Sequence, residues 1–89
     1  MKSHITASFR EAYERLPEFA REQARAAYRL FRENPNHPGL RFKPVAPPVY
    51  AARVGLHYRA LGQLHGDTII WFWIGTHAEY DRLLRSFHP

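Results

Sequence analysis

The chain has 89 residues, a size that predicts one domain over residues 1–89 with a single modest core. It contains no cysteine, which excludes disulfide and thiolate chemistry. It has no apolar run near the roughly 20 residues of a membrane span and no signal-peptide pattern at its start, which predicts a cytoplasmic location without membrane partners. Thirteen basic residues, eleven of them arginine, outweigh eight acidic ones to give a net charge of +5, which favours a polyanionic or acidic protein partner over a basic surface kept only for solubility.

Two helices are predicted in the first third of the chain. Ser8 and Glu11 have the spacing of a capping box, and apolar residues then repeat at helical spacing up to Leu16. Pro17 ends or kinks this helix and suits the first turn of a second one, which continues to about Asn34. The two segments are therefore predicted to form a helical hairpin, or one helix broken at Pro17.

After a loop at residues 34–39 the apolar pattern changes to that of strands. The strand candidates, in chain order, are Leu40–Lys43, Val49–Val54, His57–Leu61 and Thr68–Ile74. The last one is apolar on both faces and is predicted to be the central strand, covered on both sides. A short C-terminal helix from His77 to Phe87 follows, with Thr76 and Glu79 as its capping box.

The short connections between these strands favour antiparallel pairing. The predicted fold is therefore of the α+β class, with an N-terminal helical hairpin packed on an antiparallel sheet of three to four strands and a short C-terminal helix.

Two arginines fall within strand candidates, where a charge is unfavourable unless it faces water or a partner. Arg53 and Arg59 each present a rigid fork of donors that suits phosphate. A phosphate site at Arg59, with His57 two residues away on the same strand face, is favoured over an edge charge that only blocks aggregation. A tight two-residue turn would set Arg53 opposite Tyr58 and facing away from Arg59, whereas a bulge or a longer turn would bring the two arginines together.

Further candidates lie on both sides of this pair. Arg41 and Lys43 share a predicted strand face and are candidates for contacting a nucleic-acid backbone. His77 follows the last strand and is a candidate for proton transfer near neutral pH, with a helix N-terminal residue bonded to backbone as the alternative.

The C-terminal helix supplies two more polar groups, for which structural roles are predicted. Tyr80 lies on its apolar stripe and is predicted to be part of the core. Asp81 has the spacing of a surface ion pair with Arg85.

No metal or cofactor site is expected. The six histidines match no zinc-binding pattern: His4, His37, His57, His65, His77 and His88. The sequence also contains no HExxH, no glycine-rich phosphate loop and no GxSxG.

The order of elements resembles that of the RelE/ParE superfamily of type II toxin–antitoxin toxins. The resemblance is carried by the segments RVGLHYRAL (53–61), DTIIWFWIGTHAEYDRLL (67–84) and LPEFAREQARAAYRLFRENPNHPGLRFKPV (16–45). It covers nearly the whole chain and implies a cognate antitoxin, which is expected to lay an apolar helix or strand across the domain and to contribute acids to its basic face.

The superfamily divides into branches with different activities. RelE-like members are ribosome-dependent endoribonucleases that cut mRNA without metal, and they contact mRNA and rRNA. ParE-like members inhibit DNA gyrase by binding and have no catalytic set. A third possibility is a basic nucleic-acid-binding member without toxicity.

The RelE-like branch implies roles for particular residues. Arg59 matches the characteristic second-strand arginine and would stabilise the phosphorane, and Arg53 matches the arginine of the preceding strand. Lys43 stands where the first long strand carries basic residues, and His77 is nearest to the proton-transfer position after the last strand. RNA cleavage by the 2′-hydroxyl needs a base, an acid and positive charge but no cofactor, so a nuclease requires His57, Arg59 and His77 to converge.

Overall fold

The computed structural model describes residues 1–87, so His88, the last of the six histidines, lies outside the described residues. In chain order the elements are β1 (Lys2–Ile5), α1 (Ala7–Glu14), α2 (Glu18–Glu33), a 3₁₀ turn (Pro38–Leu40), β2 (Lys43–Ala46), β3 (Val49–Val54), β4 (Tyr58–His65), β5 (Thr68–Thr76) and α3 (His77–Ser86). The strands form one sheet in the order β1-β5-β4-β3-β2. The predicted α+β fold, with a helical hairpin, a sheet and a short C-terminal helix, is confirmed. No helix within residues 1–87 combines the length and apolarity needed to cross a membrane.

The sheet has one strand more than the four candidates, and it is mixed rather than wholly antiparallel. β1 pairs in parallel with β5, from Lys2 opposite Thr68 to Ile5 opposite Trp71, whereas the other neighbours are antiparallel. The sequence KSHI carries no alternating apolar pattern, and its four residues are mostly exposed. Backbone pairing with β5 and a hydrogen bond of 3.0 Å from Trp71 Nε1 to the Ser3 hydroxyl fix it instead.

The helical hairpin forms as two separate helices, with a cap that differs from the predicted one. Thr6 is the N-cap of α1, and its hydroxyl accepts a hydrogen bond of 3.1 Å from the backbone N–H of Phe9. The Ser8 hydroxyl instead donates to the carbonyl of Phe72 at 2.9 Å and so ties α1 to β5. Pro17 then separates α1 from α2, as its fixed φ angle favours.

The segment predicted as the first long strand folds differently. His37 accepts a hydrogen bond from the Gly39 N–H and starts a 3₁₀ turn, and Arg41 follows with a left-handed φ of 45°. β2 therefore begins only at Lys43, and Arg41 does not share its strand. Leu40 and Phe42 both belong to the core, so their spacing imitates a strand although the backbone forms a turn.

Helices pack on both faces of the sheet, two on one face and one on the other. α1 packs over β5 and α2 over β3 on one face, which we call the hairpin face. α3 packs over β4 and β5 on the other, the α3 face, where its Tyr80 also shares a core with residues of β3. β5 is thus covered on both sides, as predicted, although β4 rather than β5 is the middle strand.

Each face has its own core. The buried residues on the hairpin face are Leu16, Ala20, Phe31, Leu40, Ala52, Val54, Tyr58, Ala60, Ile69, Trp71 and Ile74. Those on the α3 face are Val49, Ala51, Leu61 and Tyr80. The smaller core leaves room on the α3 face for polar side chains that point away from the sheet.

Candidate functional site

Arg53 and Arg59 lie directly opposite each other on β3 and β4. The turn that joins these strands has three residues, 55–57, and Gly55 supplies its positive φ of 61°. Of the two alternatives that the sequence leaves open, the longer turn is the one formed, because Tyr58 faces Val54 rather than Arg53. The longer turn brings both arginines to the α3 face.

Both guanidinium groups are held by carbonyl groups of this turn. Arg59 Nη1 donates to the Tyr58 carbonyl at 2.7 Å and to the Leu56 carbonyl at 3.4 Å, and Arg53 Nε donates to the Gly55 carbonyl at 3.3 Å. In the described part of the chain the ion pairs involve only Glu18 and Asp81 as acids, so no carboxylate neutralises either arginine there. The two charges are consequently available to an anion.

The surroundings of Arg59 favour the arrival of negative charge. Burial is the main reason why the pKa of its guanidinium lies below the ordinary value, and the charges of Arg53 and Arg41 lower it further. Tyr80 and Asp81 act in the opposite direction. Since arginine stays protonated in proteins, this position carries an incompletely solvated positive charge that a phosphate would stabilise.

His77 starts α3 and lies against the β3–β4 turn. Its backbone N–H donates to the carbonyl of His57 at 2.8 Å, which fixes the start of the helix to the turn. Its Nδ1 lies 3.0 Å from Asp81 Oδ2. Because a carboxylate can only accept, Nδ1 carries the proton and Nε2 is left to accept one. The predicted pair of Asp81 with Arg85 is replaced by this pair with His77.

Tyr80 combines a place in the core with a place in the site. It is 7% exposed and packs with Val49, Ala51 and Leu61, which confirms the core prediction. Its ring also meets the His77 ring edge-on, with 5.8 Å between centroids.

The phenol of Tyr80 interacts electrostatically with two charged side chains. Burial raises its pKa, the charge of Arg59 lowers it and that of Asp81 raises it. Sequence reasoning missed this residue, because its position on the apolar stripe explained it already. The only signal was the spacing of three residues from His77, which puts both side chains on one side of a helix.

The remaining predicted residues lie around this group. Arg41 is exposed, and its charge acts on Arg59. Lys43 is exposed and pairs with Ala51, which places it on the α3 face of the edge strand β2. His57 lies in the turn rather than on a strand, so it does not share a strand face with Arg59 as predicted. Its backbone carbonyl accepts the hydrogen bond from the His77 N–H.

Three of the predicted residues, Arg53, Arg59 and His77, thus lie at one end of the α3 face together with Tyr80 and Asp81, and we call these five residues the arginine site. Among residues 1–87, no three His, Cys, Asp or Glu side chains are grouped so that they could hold a metal ion.

A capping box positions the α3 residues of the arginine site. The Thr76 hydroxyl accepts a hydrogen bond from the Glu79 N–H at 3.2 Å, and Glu79 Oε1 accepts from the Thr76 N–H at 2.9 Å, as predicted. The hydrogen bonds from Thr76 lower the pKa of the Glu79 carboxyl. The cap therefore connects the end of β5 to the first turn of the helix that carries His77 and Tyr80.

We expect Thr76→Ala to lower the free energy of unfolding by about 1 kcal/mol, the usual cost of a lost N-cap, and to weaken the activity of the site. The stabilisation that the Glu79 carboxylate contributes to the cap is complete above its ordinary pKa of 4.5. It is lost as the pH falls through the lower pKa that this group has in the folded protein. Urea unfolding at neutral and acidic pH measures both effects. Thr68→Ala, at the other end of β5, is the control, and an equal loss in both variants would contradict a capping role.

A wide apolar groove lies on the hairpin face, across the sheet from the arginine site. It runs between α1 and α2 and encloses about 710 Å³. Its floor is formed by Ala52, Val54, Ala60, Trp71 and Ile74, and the exposed side chains of Ile5 and Tyr28 line it. The small alanine side chains of the floor and of α2 create this space.

The rim of the groove is positively charged. The charged residues that line it are Arg10, Arg25, Arg29, Arg32 and one acid, Glu14. Arg25 is engaged by Glu18 at 3.1 Å and by the Tyr13 hydroxyl at 2.8 Å. The groove therefore combines apolar walls with a basic edge.

A family model described as a ParE-like toxin domain matches residues 20–82. The crystal structure of the isolated Escherichia coli RelE toxin is similar with a TM-score of 0.64 and 14% identity, over 96% of this chain and 97% of that one. A copper-bound mutant toxin from Helicobacter pylori is similar with a TM-score of 0.58 and 15% identity, over 89% of this chain and 97% of that one. No sequence among the curated proteins matches. At these identities the structural likeness concerns the fold.

Proposed function

Since this chain belongs to the ParE-like toxin family of the RelE/ParE superfamily, we propose that it is a toxin that cuts mRNA on the ribosome. The observation that carries this proposal is the arginine site. Two arginines without a carboxylate partner lie opposite each other, and a histidine that hydrogen-bonds to an aspartate is fixed through its backbone to the turn that joins their strands. An inhibitor that acts by binding alone needs no such proton-transfer pair. The proposal uses Arg59 and His77 of the three residues expected to converge, and it gives the His57 side chain no role.

The proposed reaction is attack of an RNA 2′-hydroxyl on the neighbouring phosphorus. His77 Nε2 takes the proton of the hydroxyl, and Asp81 stabilises the imidazolium that results. Arg59 and Arg53 balance the charge that develops on the phosphorane oxygens. The bond to the 5′-oxygen breaks, and the products are a 2′,3′-cyclic phosphate and a 5′-hydroxyl.

The leaving 5′-oxygen needs a proton, and Tyr80 is suited to supply it. Because burial raises the pKa of this phenol, it keeps its proton at neutral pH. The charge of Arg59 acts on this phenol and lowers its pKa, which supports placing the donor near the phosphate that the arginine would hold. Arg41 and Lys43 extend the basic surface beyond the reacting phosphate and are assigned to the RNA backbone.

Inhibition of DNA gyrase is the alternative, and the match to a ParE-like model favours it. The two activities are separated by giving the purified protein to programmed ribosomes and, in parallel, to gyrase with relaxed plasmid. The nuclease proposal expects new 5′ ends within the ribosome-bound mRNA and unchanged supercoiling. Intact mRNA with inhibited supercoiling would overturn it, and pulse labelling of protein and DNA synthesis gives the same distinction in cells.

A toxin of this family implies an antitoxin, and we assign the antitoxin to the groove on the hairpin face. Apolar side chains of an amphipathic helix fit its walls, and acidic residues of the same helix meet the arginine rim. The arginine site lies on the opposite face, so this contact leaves the catalytic groups uncovered unless a further antitoxin segment reaches them.

We expect Tyr80→Phe to lower kcat for mRNA cleavage by about 100-fold or more, the usual contribution of a general acid, with little change in KM. Phenylalanine fills the same space in the core, so the free energy of unfolding stays near the wild-type value. Tyr50→Phe, half-buried on the hairpin face, is the matched control. A wild-type kcat in Tyr80→Phe would remove the phenol from the mechanism.

A further inference from the structure

Strand β5 carries a glycine, Gly75, that pairs directly with Arg59. On its other side Arg59 pairs with Arg53, so the three positions form one row across β3, β4 and β5. Side chains of directly paired residues project from the same face of a sheet. On the α3 face, the two arginine side chains therefore lie in line with a position that has no side chain.

A glycine is unfavourable inside a strand, because it has no side chain to pack and its backbone loses more freedom on folding. Gly75 is buried, and its backbone conformation does not require glycine, since the described glycines with a positive φ are Gly55 and Gly66. The backbone at position 75 is therefore open to other residue types. What excludes a side chain there is the lack of space.

The space over Gly75 is filled by two other side chains. A Cβ at this position would lie 2.5 Å from Trp73 Cζ2 and 2.9 Å from Glu79 Oε1, closer than Cβ atoms approach their neighbours in proteins. Glu79 Oε1 also accepts the hydrogen bond from the Thr76 N–H that closes the cap of α3. The Trp73 ring packs against the core of the α3 face, to which Tyr80 belongs. Both neighbours are thus connected to the first turn of α3.

We propose that Gly75 is a positioning residue of the arginine site, because its missing side chain lets the first turn of α3 lie close to the sheet beside Arg59. This inference rests on the proposed nuclease function and deepens it. His77 and Tyr80 belong to this turn, and they must come within hydrogen-bond reach of the atoms that react at the phosphate. A methyl group at position 75 would press on both neighbours and move the turn away from Arg59. A displacement of about 1 Å is enough to slow such a reaction by about 100-fold.

The experiment measures mRNA cleavage on programmed ribosomes by wild type and Gly75→Ala, with kcat expressed per folded molecule. Gly75→Ala is expected to lower kcat by about 10- to 100-fold with little change in KM, because both arginines stay on their strands while the acid and the base move. Gly62→Ala is the matched control, since its added Cβ would come 2.9 Å from Trp71 Cε3 and from Ile69 Cδ1 in the core of the hairpin face. This control is expected to lower the midpoint of thermal unfolding and to leave kcat unchanged.

A second arm restores the space by shortening the neighbouring ring. Trp73→Phe removes Cζ2, the atom that lies nearest to an added Cβ, and it is expected to keep kcat near the wild-type value. Combined with Gly75→Ala it is expected to recover most of the lost kcat, because the two changes act on the same contact. A wild-type kcat in Gly75→Ala, an equal loss in Gly62→Ala or no recovery in the double variant would overturn the positioning role and leave the nuclease standing. If wild type cuts no ribosome-bound mRNA, the nuclease and the positioning role both fall.

Discussion

Arg59→Ala is expected to abolish growth arrest and to reduce mRNA cleavage by about 100- to 1,000-fold, the scale reported for loss of one donor to a developing oxyanion. The half-buried Arg59 lies opposite Arg53, and its guanidinium hydrogen-bonds to the backbone carbonyls of Leu56 and Tyr58, so its removal takes away charge without opening the core. Arg59→Lys keeps the charge but loses the planar fork and is expected to recover only part of the activity. Cleavage is followed by primer extension on programmed ribosomes.

His77→Ala serves as the companion variant, and it too is expected to relieve growth arrest, because it removes the proton acceptor. Arg29→Ala is the control for loss of one positive charge, since it lies in the groove on the other face. Thermal unfolding should give similar midpoints for all three proteins. If Arg59→Ala and His77→Ala both remain fully toxic, the nuclease proposal fails.

Ala27→Trp is expected to abolish neutralisation by the antitoxin while toxicity persists. Ala27 lines the groove from α2, and an indole there occupies the space that antitoxin side chains would take. The expected loss of affinity is about 30-fold or more, the size of one interface hot spot. Titration of toxin with the purified antitoxin, followed by calorimetry, measures it.

Ala26→Trp is the matched control, because Ala26 is the exposed neighbour on the same helix and does not line the groove. Arg29→Glu tests the rim without altering the packing, and it should weaken binding most at low salt. Antitoxin binding that tolerates both Ala27→Trp and Arg29→Glu would place the partner elsewhere on the surface.

Elements that depend on residues close together in the chain were predictable from local sequence patterns. The α3 cap needed only Thr76 and Glu79 three residues apart, and the interior strand β5 needed only a run of apolar residues. β1 has neither kind of signal, because its pairing partner lies more than 60 residues away along the chain. Leu40 and Phe42 have the two-residue spacing of a strand, although the backbone there forms a turn. The left-handed conformation of Arg41 between them keeps both apolar side chains in the core.

Some residues of the candidate site were recognisable one by one in the sequence, but their arrangement was not. Arg53 and Arg59 were recognisable as charges within strands, yet their common face depended on a turn of three residues instead of two. Tyr80 could not be distinguished from an ordinary core residue in the sequence, because its position on the apolar stripe predicts burial whether or not a charged side chain lies nearby. Asp81 had two partners at equal spacing along the helix, and only the position of His77 at the helix start selects between them.

The parallel pairing of β1 with β5 has a consequence for the order in which the molecule is made. During synthesis the first strand leaves the ribosome long before its partner exists, and their hydrogen bonds form only after residues 68–71 have emerged. The same late residues deliver β5 and the helix with His77 and Tyr80. A growing chain therefore has no complete arginine site until β5 and α3 have emerged.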